Sequence, residues 1–328
     1  MLVRKRCALS VSLLAVSVTM ALSTSCVVRR RVITRDGGKT TQILLSADLD
    51  SLIKRIADRY RVIQSFTATE DMVPALGTVN KGKVTEYKDV RAYVLFRKPA
   101  NIRIIGLYPV VRNKAFDMVS DGARFELYIP AKNRLVIGRN DLETHSKNKL
   151  ANLRPQHFLE AMIVRPVDPV HETAVLENLT DEDNAVYILH ILREVGGRPV
   201  LARNIWFDRL NLNLVRQQIF DADGNILSDA RYADWGVFNG VRFPKRIDIN
   251  RPQDEYGVVM TVVKAEINKP ISDDKFSLER PPDVQVTVLG ETGNGSARAG
   301  GGMASLSQDD KPDKTLPLNA PQSKKRYW

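Results

Sequence analysis

Residues 46–66, SADLDSLIKRIADRYRVIQSF, decide the fold, because the period of the apolar residues changes at their end. Within this stretch the spacing of three and four residues predicts an amphipathic helix with one stripe against another layer. The apolar positions are Leu49, Leu52, Ile53, Ile56, Tyr60 and Ile63. Ser46 is placed to cap the helix, and Asp48 and Asp50 suit the positive end of its dipole. Lys54, Arg55, Arg59 and Arg61 fall largely away from the stripe.

After this helix the apolar period becomes two and predicts β-strands. Clear runs are VRAYVLF from Val90, FELYI from Phe125, AVYILHIL from Ala185, RNIWF from Arg203 and VVMTVV from Val258. The spacers are short and carry turn pairs such as Asn239-Gly240, a strong hairpin signal. Because parallel strands need a crossover of about a dozen residues, we expect an antiparallel meander of about ten strands.

One helical segment interrupts the strands, in LANLRPQHFLEAMIVRP, residues 150–166. Pro155 suits a first helical turn, and Pro166 ends the segment. Phe158, Leu159 and Met162 lie on its apolar stripe. Since a sheet of this size twists and curls, we expect a mainly β (α+β) fold with both helices in or across a concave surface.

The first 26 residues have the layout of a bacterial export signal, with a basic start, an apolar stretch and small residues before Cys26. One interpretation makes Cys26 a lipidated N-terminus, although Ser23 stands where the lipidation pattern has Leu. The other is an ordinary signal peptide cleaved nearby, which leaves a soluble exported protein. Cys7 is the only other cysteine, so the mature chain has no intramolecular disulfide or cysteine nucleophile in its body.

The predicted organisation is a signal peptide at 1–26, a basic tether at 27–45, a folded domain at 46–289 and a disordered tail rich in Gly, Ser and Pro at 290–328. The chain of 328 residues has a net charge of +11, spread over alternating strand positions. Solvated strand faces or attraction to anionic lipid headgroups account for this charge, and we expect no nucleic-acid partner.

The sequence shows no catalytic constellation. Its four histidines, His145, His157, His171 and His190, are dispersed, and there is no serine-nucleophile, phosphate-loop or dinucleotide motif. FDADGN from Phe220 is typical of a hairpin turn rather than a calcium loop, because the later Glu of such a loop is missing. We therefore predict a protein that is not an enzyme, with no cofactor and no metal.

Five segments, in this order, resemble the LolA/LolB family of bacterial lipoprotein carriers across residues 46–289. They are IQSFTA from Ile63, FRKPANIRI from Phe96, MVSDGARFELYIP from Met118, RPQHFL from Arg154 and DDKFSLERPPDVQV from Asp273. The resemblance implies a half-open barrel, covered by the N-terminal helix and a short lid helix, that binds and transfers lipoprotein acyl chains or another lipid without enzymatic chemistry. It implies the periplasmic face of the outer membrane, with a soluble periplasmic protein as the alternative. A sensor or scaffold that binds an envelope protein partner is the alternative function.

The resemblance also suggests site residues, for which ordinary core packing is the alternative. The cavity candidates are Ile53, Ile56, Tyr60, Val94, Phe96, Ile104, Phe158, Leu159 and Met162. In soluble members an Arg before the Pro of FRKPANIRI helps to hold the lid. Here Lys98 takes that place after Arg97, and Lys is a point donor rather than a planar fork. In anchored members an apolar loop after this strand contacts the membrane, which Leu107, Tyr108 and Val110 could do, with a buried strand end as the alternative.

Overall fold

The computed structural model describes residues 43–78, 83–86, 89–141, 152–181 and 184–289. The predicted export signal with Cys26, most of the basic tether and the predicted tail lie outside the described residues. None of the described helices is long and apolar enough to cross a membrane.

Two α-helices and fifteen strands form the described fold. The helices are α1 (Leu49–Val62) and α2 (Pro155–Met162). The strands are β1 (Ser65–Thr78), β2 (Lys83–Glu86), β3 (Val90–Arg97), β4 (Asn101–Leu107), β5 (Lys114–Ser120), β6 (Arg124–Ile129), β7 (Arg134–Arg139), β8 (Glu172–Thr180), β9 (Ala185–Val195), β10 (Arg198–Asp208), β11 (Leu214–Phe220), β12 (Ile226–Phe238), β13 (Val241–Arg251), β14 (Tyr256–Ile267) and β15 (Gln285–Val288). Short 3₁₀ helices cover Pro130–Lys132 and Asp273–Phe276.

All strands belong to one sheet in the order β15-β7-β6-β5-β4-β3-β1-β14-β13-β12-β11-β10-β9-β8, and β2 pairs with β1. Because β1 pairs with both β3 and β14, it joins the two halves of the sheet at its centre. The end strands β15 and β8 do not pair with each other, so the described sheet stays open. The predicted fold class, a curved and mainly antiparallel sheet forming a half-open barrel with two helices, is confirmed.

The predicted strand count of about ten is too low, and the expectation of purely antiparallel pairing is wrong for one strand. β15 pairs with β7 in parallel, with Gln285 opposite Arg134. All four residues of β15 are exposed, so it has no inward apolar alternation by which the sequence could reveal it. β5 is similarly hard to recognise, because four consecutive residues are buried at its end.

The N-cap of the predicted helix α1 lies two residues later than proposed. Asp48, not Ser46, is the N-cap, and its carboxylate accepts a hydrogen bond from the Ser51 backbone N–H at 2.8 Å. An aspartate at this position satisfies a free backbone donor and also suits the helix dipole. The residues of α1 that are fully buried are Leu52 and Ile56, both on the predicted stripe.

The core lies between the two helices and the concave face of the sheet. Alternate residues of the central strands point into it, among them Phe66, Val94, Ile104, Phe243 and Met260. The helix α2 has Pro155 in its first turn, as predicted, and six of its eight residues are buried. It is therefore inserted into the concavity rather than laid on the surface.

Candidate functional site: two cavities beside the helices

A cavity of about 530 Å³, named here the α1 groove, runs between α1 and the sheet. Helix α1 supplies one wall with Ser51, Lys54, Arg55, Ile56, Asp58, Arg59 and Val62. The other side comes from Val164, Phe207, Leu212, Asn213, Leu214, Trp235, Gly240, Val241 and Arg242. These residues belong to β10 to β13, their connecting turns and the segment after α2. The groove is therefore apolar along its floor and basic at its edge.

A second cavity of about 350 Å³, named here the lid cavity, lies beside α2. Tyr60, Phe96, Pro99, Ala100, Gln156, Leu159, Glu160, Ile163, Arg165, Arg193, Ala202, Arg203, Gln217, Ile219 and Phe220 line it. It is bounded by the end of α1, the β3–β4 turn, α2 and β9 to β11. Burial raises the pKa of the Glu160 carboxyl, which favours its neutral form.

The structure brings four of the nine predicted cavity residues to these linings. Ile56 lines the α1 groove, and Tyr60, Phe96 and Leu159 line the lid cavity. Val94, Ile104, Phe158 and Met162 are buried in the core cluster, and Ile53 packs against that cluster while partly buried.

A buried ion cluster closes one side of the lid cavity. Arg203 is 2% exposed and donates to the Arg165 carbonyl at 2.9 Å, to the Pro166 carbonyl at 3.1 Å and to Glu172 Oε2 at 2.9 Å. Glu172 also pairs with the Arg165 side chain. Burial lowers the pKa of Arg203 to about 10, so the guanidinium is still charged at neutral pH. These bonds fix the segment that follows α2 to β10 and β8.

The two proposed latch residues, Arg97 and Lys98, contact α1 and the segment before β15. Lys98 Nζ donates to the Tyr60 carbonyl at 2.5 Å, in the last turn of α1, and lies 4.0 Å from the centre of the Tyr60 ring. Arg97 donates to the Ile271 carbonyl at 2.8 Å and pairs with Asp273. Lys98 thus holds the C-terminal end of α1, where a cation is favourable, and Arg97 holds the segment before β15.

Three other contacts hold the lid helix α2. Gln217 Nε2 donates to the Glu160 carbonyl at 3.1 Å, and the Tyr232 hydroxyl donates to the Ala161 carbonyl at 2.8 Å. The ring nitrogen Nδ1 of His157 lies 2.7 Å from the Tyr256 hydroxyl. Sequence reasoning missed these partners, because they come from β11, β12 and β14, far from α2 along the chain.

Glu70 is a buried acid that sequence reasoning also missed. It is 0% exposed, neither carboxyl oxygen has a hydrogen-bond partner among the described residues, and burial raises its pKa to about 8. The sequence does carry a signal, since Phe66, Ala68, Glu70 and Met72 alternate and the other three are apolar. Within the described part of the chain, no group of three acidic, His or Cys side chains could hold a metal ion.

The proposed membrane loop joins β4 to β5 as a tight hairpin. Its ends are tied by backbone bonds of 3.0 Å from the Tyr108 N–H to the Asn113 carbonyl and from the Arg112 N–H to the Tyr108 carbonyl. Tyr108 and Val110 are 42% and 90% exposed, whereas Leu107 is half-buried. The tip of the hairpin therefore presents apolar side chains to the outside.

No protein-family model and no curated protein matches this chain. Among solved structures, a LolA superfamily protein from Nitrosomonas europaea is 15% identical, with a TM-score of 0.47 over 71% of this chain and 99% of that chain. A DUF1329 family protein from Desulfovibrio piger is 16% identical, with a TM-score of 0.46 over 69% of this chain and 94% of that chain. A candidate outer membrane lipoprotein-sorting domain from Vibrio parahaemolyticus is 10% identical, with a TM-score of 0.42 over 69% and 94% of the two chains. The described sheet is open and curved and has two helices on its concave face, as in the half-open barrel expected from the sequence.

Proposed function

We propose that this protein binds an amphiphile, such as a lipoprotein acyl chain or another lipid, and carries or accepts it in the bacterial cell envelope without enzymatic chemistry. The observation that supports the proposal is the pair of cavities between the helices and the apolar concave face. Their volumes, about 530 and 350 Å³, fall within the range of roughly 300–1,000 Å³ that is usual for small-molecule sites.

Acyl chains suit these cavities because each CH₂ group moved out of water contributes about 0.8 kcal/mol. Phe96 and Leu159 in the lid cavity and Phe207 and Leu214 in the α1 groove provide the apolar contacts. A chain of a dozen carbons therefore gains several kcal/mol from burial alone. Binding of this kind needs no nucleophile and no metal.

The decisive experiment is native mass spectrometry, with lipid extraction, of protein purified without detergent. We expect a bound amphiphile, which organic solvent releases and mass spectrometry identifies. A protein that is empty and also fails to take up a fluorescent acyl probe would overturn the proposal. Leu159→Asp, in the lid cavity, should reduce uptake of the probe, and Val170→Asp, at an exposed position outside both cavities, is the matched control.

For the location in the envelope, we propose attachment to the periplasmic face of the outer membrane through lipid on Cys26. The support is the predicted export segment and the exposed apolar tip of the β4–β5 hairpin. Intact-mass analysis of the mature protein should show a mass increase from acyl groups that is lost in Cys26→Ala. A mature chain that begins downstream of Cys26 would contradict the anchor and leave a soluble carrier.

A further inference from the structure

The α1 groove carries positive charge that no carboxylate in the described residues neutralises. Arg55, Arg59 and Arg242 line the groove, and none of the three makes an ion pair or a side-chain hydrogen bond within the described part of the chain. The single acid of the lining, Asp58, is already bonded to Lys54 and Arg61, so it does not offset this charge.

Arg59 is the most constrained of these cations. Its guanidinium carbon lies 4.3 Å from the centre of the Trp235 ring and 5.9 Å from that of Phe243. Arg59 Nη2 and Trp235 Nε1 are both buried donors that have no hydrogen-bond partner in the described part of the chain. Burial lowers the pKa of Arg59 to about 10, which still leaves the group charged at neutral pH. A buried cation without a counter-ion is costly, and so is a buried donor without an acceptor.

The floor beside these donors is apolar. Ile56 of α1 faces Phe207, Leu214 and Val241 of the sheet across the groove. A ligand that fits both the cationic donors and the apolar floor has an anion at one end and a hydrocarbon chain attached to it. Guanidinium groups match carboxylate and phosphate oxygens through paired N–H bonds, and such charge-assisted bonds are about twice as strong as neutral ones.

We propose that the α1 groove is a binding site for a single-chain amphiphile with a terminal carboxylate or phosphate. The anion contacts Arg59 and Arg242, with the Trp235 N–H as a further donor, and the chain lies on the apolar floor. This inference rests on the proposed function and names the class of ligand. It requires a small side-chain adjustment that turns the buried donors toward the groove when the anion enters.

The test compares four probes with the same twelve-carbon chain, each titrated into the detergent-free full-length protein below its micelle concentration. The probes are dodecanoate, dodecyl phosphate, dodecyl maltoside and dodecyltrimethylammonium, followed by calorimetry and by tryptophan fluorescence. We expect the two anions to bind at least tenfold more tightly than the neutral probe, and the cation to bind most weakly. The ratio of the dissociation constants of dodecanoate and dodecyl phosphate shows whether a carboxylate or a phosphate headgroup is preferred.

Arg59→Gln and Arg242→Gln should each weaken dodecanoate binding about tenfold more than they weaken dodecyl maltoside binding. Arg198→Gln is the matched control, because Arg198 is exposed at the start of β10 and is not among the residues that line the groove. Thermal melts verify folding, and Arg242, which is exposed, provides the test if Arg59→Gln does not fold. Equal binding of anionic and neutral probes, or variants that bind like wild type, would overturn this inference while leaving the proposed function standing. A protein that binds none of the probes would overturn both.

Discussion

At the scale of single residues, Glu70 is the clearest departure from ordinary core chemistry. It occupies an inward position of β1, the strand that joins the two halves of the sheet, next to a register shift between Thr69 and Glu70. Its opposite residues are Ala92 on β3 and Val262 on β14, neither of which can compensate a charge. Its pKa of about 8 therefore reflects the cost of placing a carboxylate in an apolar interior.

This burial predicts a stability that falls as the pH rises. The ordinary pKa of the carboxyl is 4.5 and the native one is about 8, so between these values the native state holds a proton that the unfolded state has lost. Stability is thus fully present below pH 4.5, falls through the window up to about 8 and is constant above it. Glu70→Gln should not show this pH-dependent loss of unfolding free energy, which is on the order of 5 kcal/mol.

Urea unfolding at pH 5, 7 and 8.5 measures this effect. The wild type should lose stability relative to Glu70→Gln as the pH rises. Asp71→Asn serves as the control. Asp71 is the next residue of β1, its side chain is partly exposed, and it pairs with Arg91 of β3. Parallel stability curves for wild type and Glu70→Gln would contradict the assignment.

At the scale of elements, the lid helix α2 is attached to the sheet by side chains from three strands. Two of its backbone carbonyls accept bonds from Gln217 and Tyr232, and His157 meets Tyr256. These attachments are separate from the strand ladder, and a neutral hydrogen bond contributes only about 1 kcal/mol. We therefore predict that loss of these bonds loosens α2 locally while the sheet stays intact.

Removal of the Tyr232 and Tyr256 hydroxyls tests whether α2 can loosen independently of the strands. In the double variant Tyr232→Phe and Tyr256→Phe, we expect the backbone amides of α2 to exchange hydrogen about thirtyfold faster, because the two lost bonds contribute about 1 kcal/mol each. Amides of the central strands should exchange as in wild type. Hydrogen exchange followed by mass spectrometry gives both rates, and Tyr93→Phe on the exposed side of β3 is the control. Equal acceleration in α2 and in the strands would show that the lid has no local motion of its own.

At the scale of the whole molecule, the β4–β5 hairpin gives the protein an apolar contact point. Val110 is 90% exposed and stands beside the basic residues Arg112 and Lys114. Exposed apolar side chains next to cations are suited to the headgroup region of an anionic bilayer. This surface is independent of Cys26, so its contribution can be measured without the predicted lipid.

Vesicle sedimentation in the Cys26→Ala background should show that contribution. Val110→Glu should weaken binding to vesicles that contain phosphatidylglycerol by roughly tenfold, since it removes an apolar contact and adds a repelled charge. Val170→Glu is the matched control, because Val170 is 79% exposed and lies just before β8, outside the hairpin. If both variants bind vesicles equally well, the hairpin is not a membrane contact.

The sequence by itself determined the elements whose signal is local. The three- and four-residue spacing of α1, the Pro155 start of α2 and the Asn239-Gly240 turn between β12 and β13 depend on neighbours along the chain, and the structure has all of them. The mainly β class and the position of the helices on a concave face followed from these signals.

Only the tertiary structure decided which distant segments meet. The parallel pairing of β15 with β7, the strand partners of α2 and the isolation of Glu70 depend on how far-apart parts of the chain pack, which no local period encodes. The same holds for Arg59, which falls off the apolar stripe of α1 and so resembles a solvated cation in the sequence. Packing of β12 and β13 against α1 makes that position a partly buried charge beside Trp235, because burial is a property of the neighbouring layer and not of the helix alone.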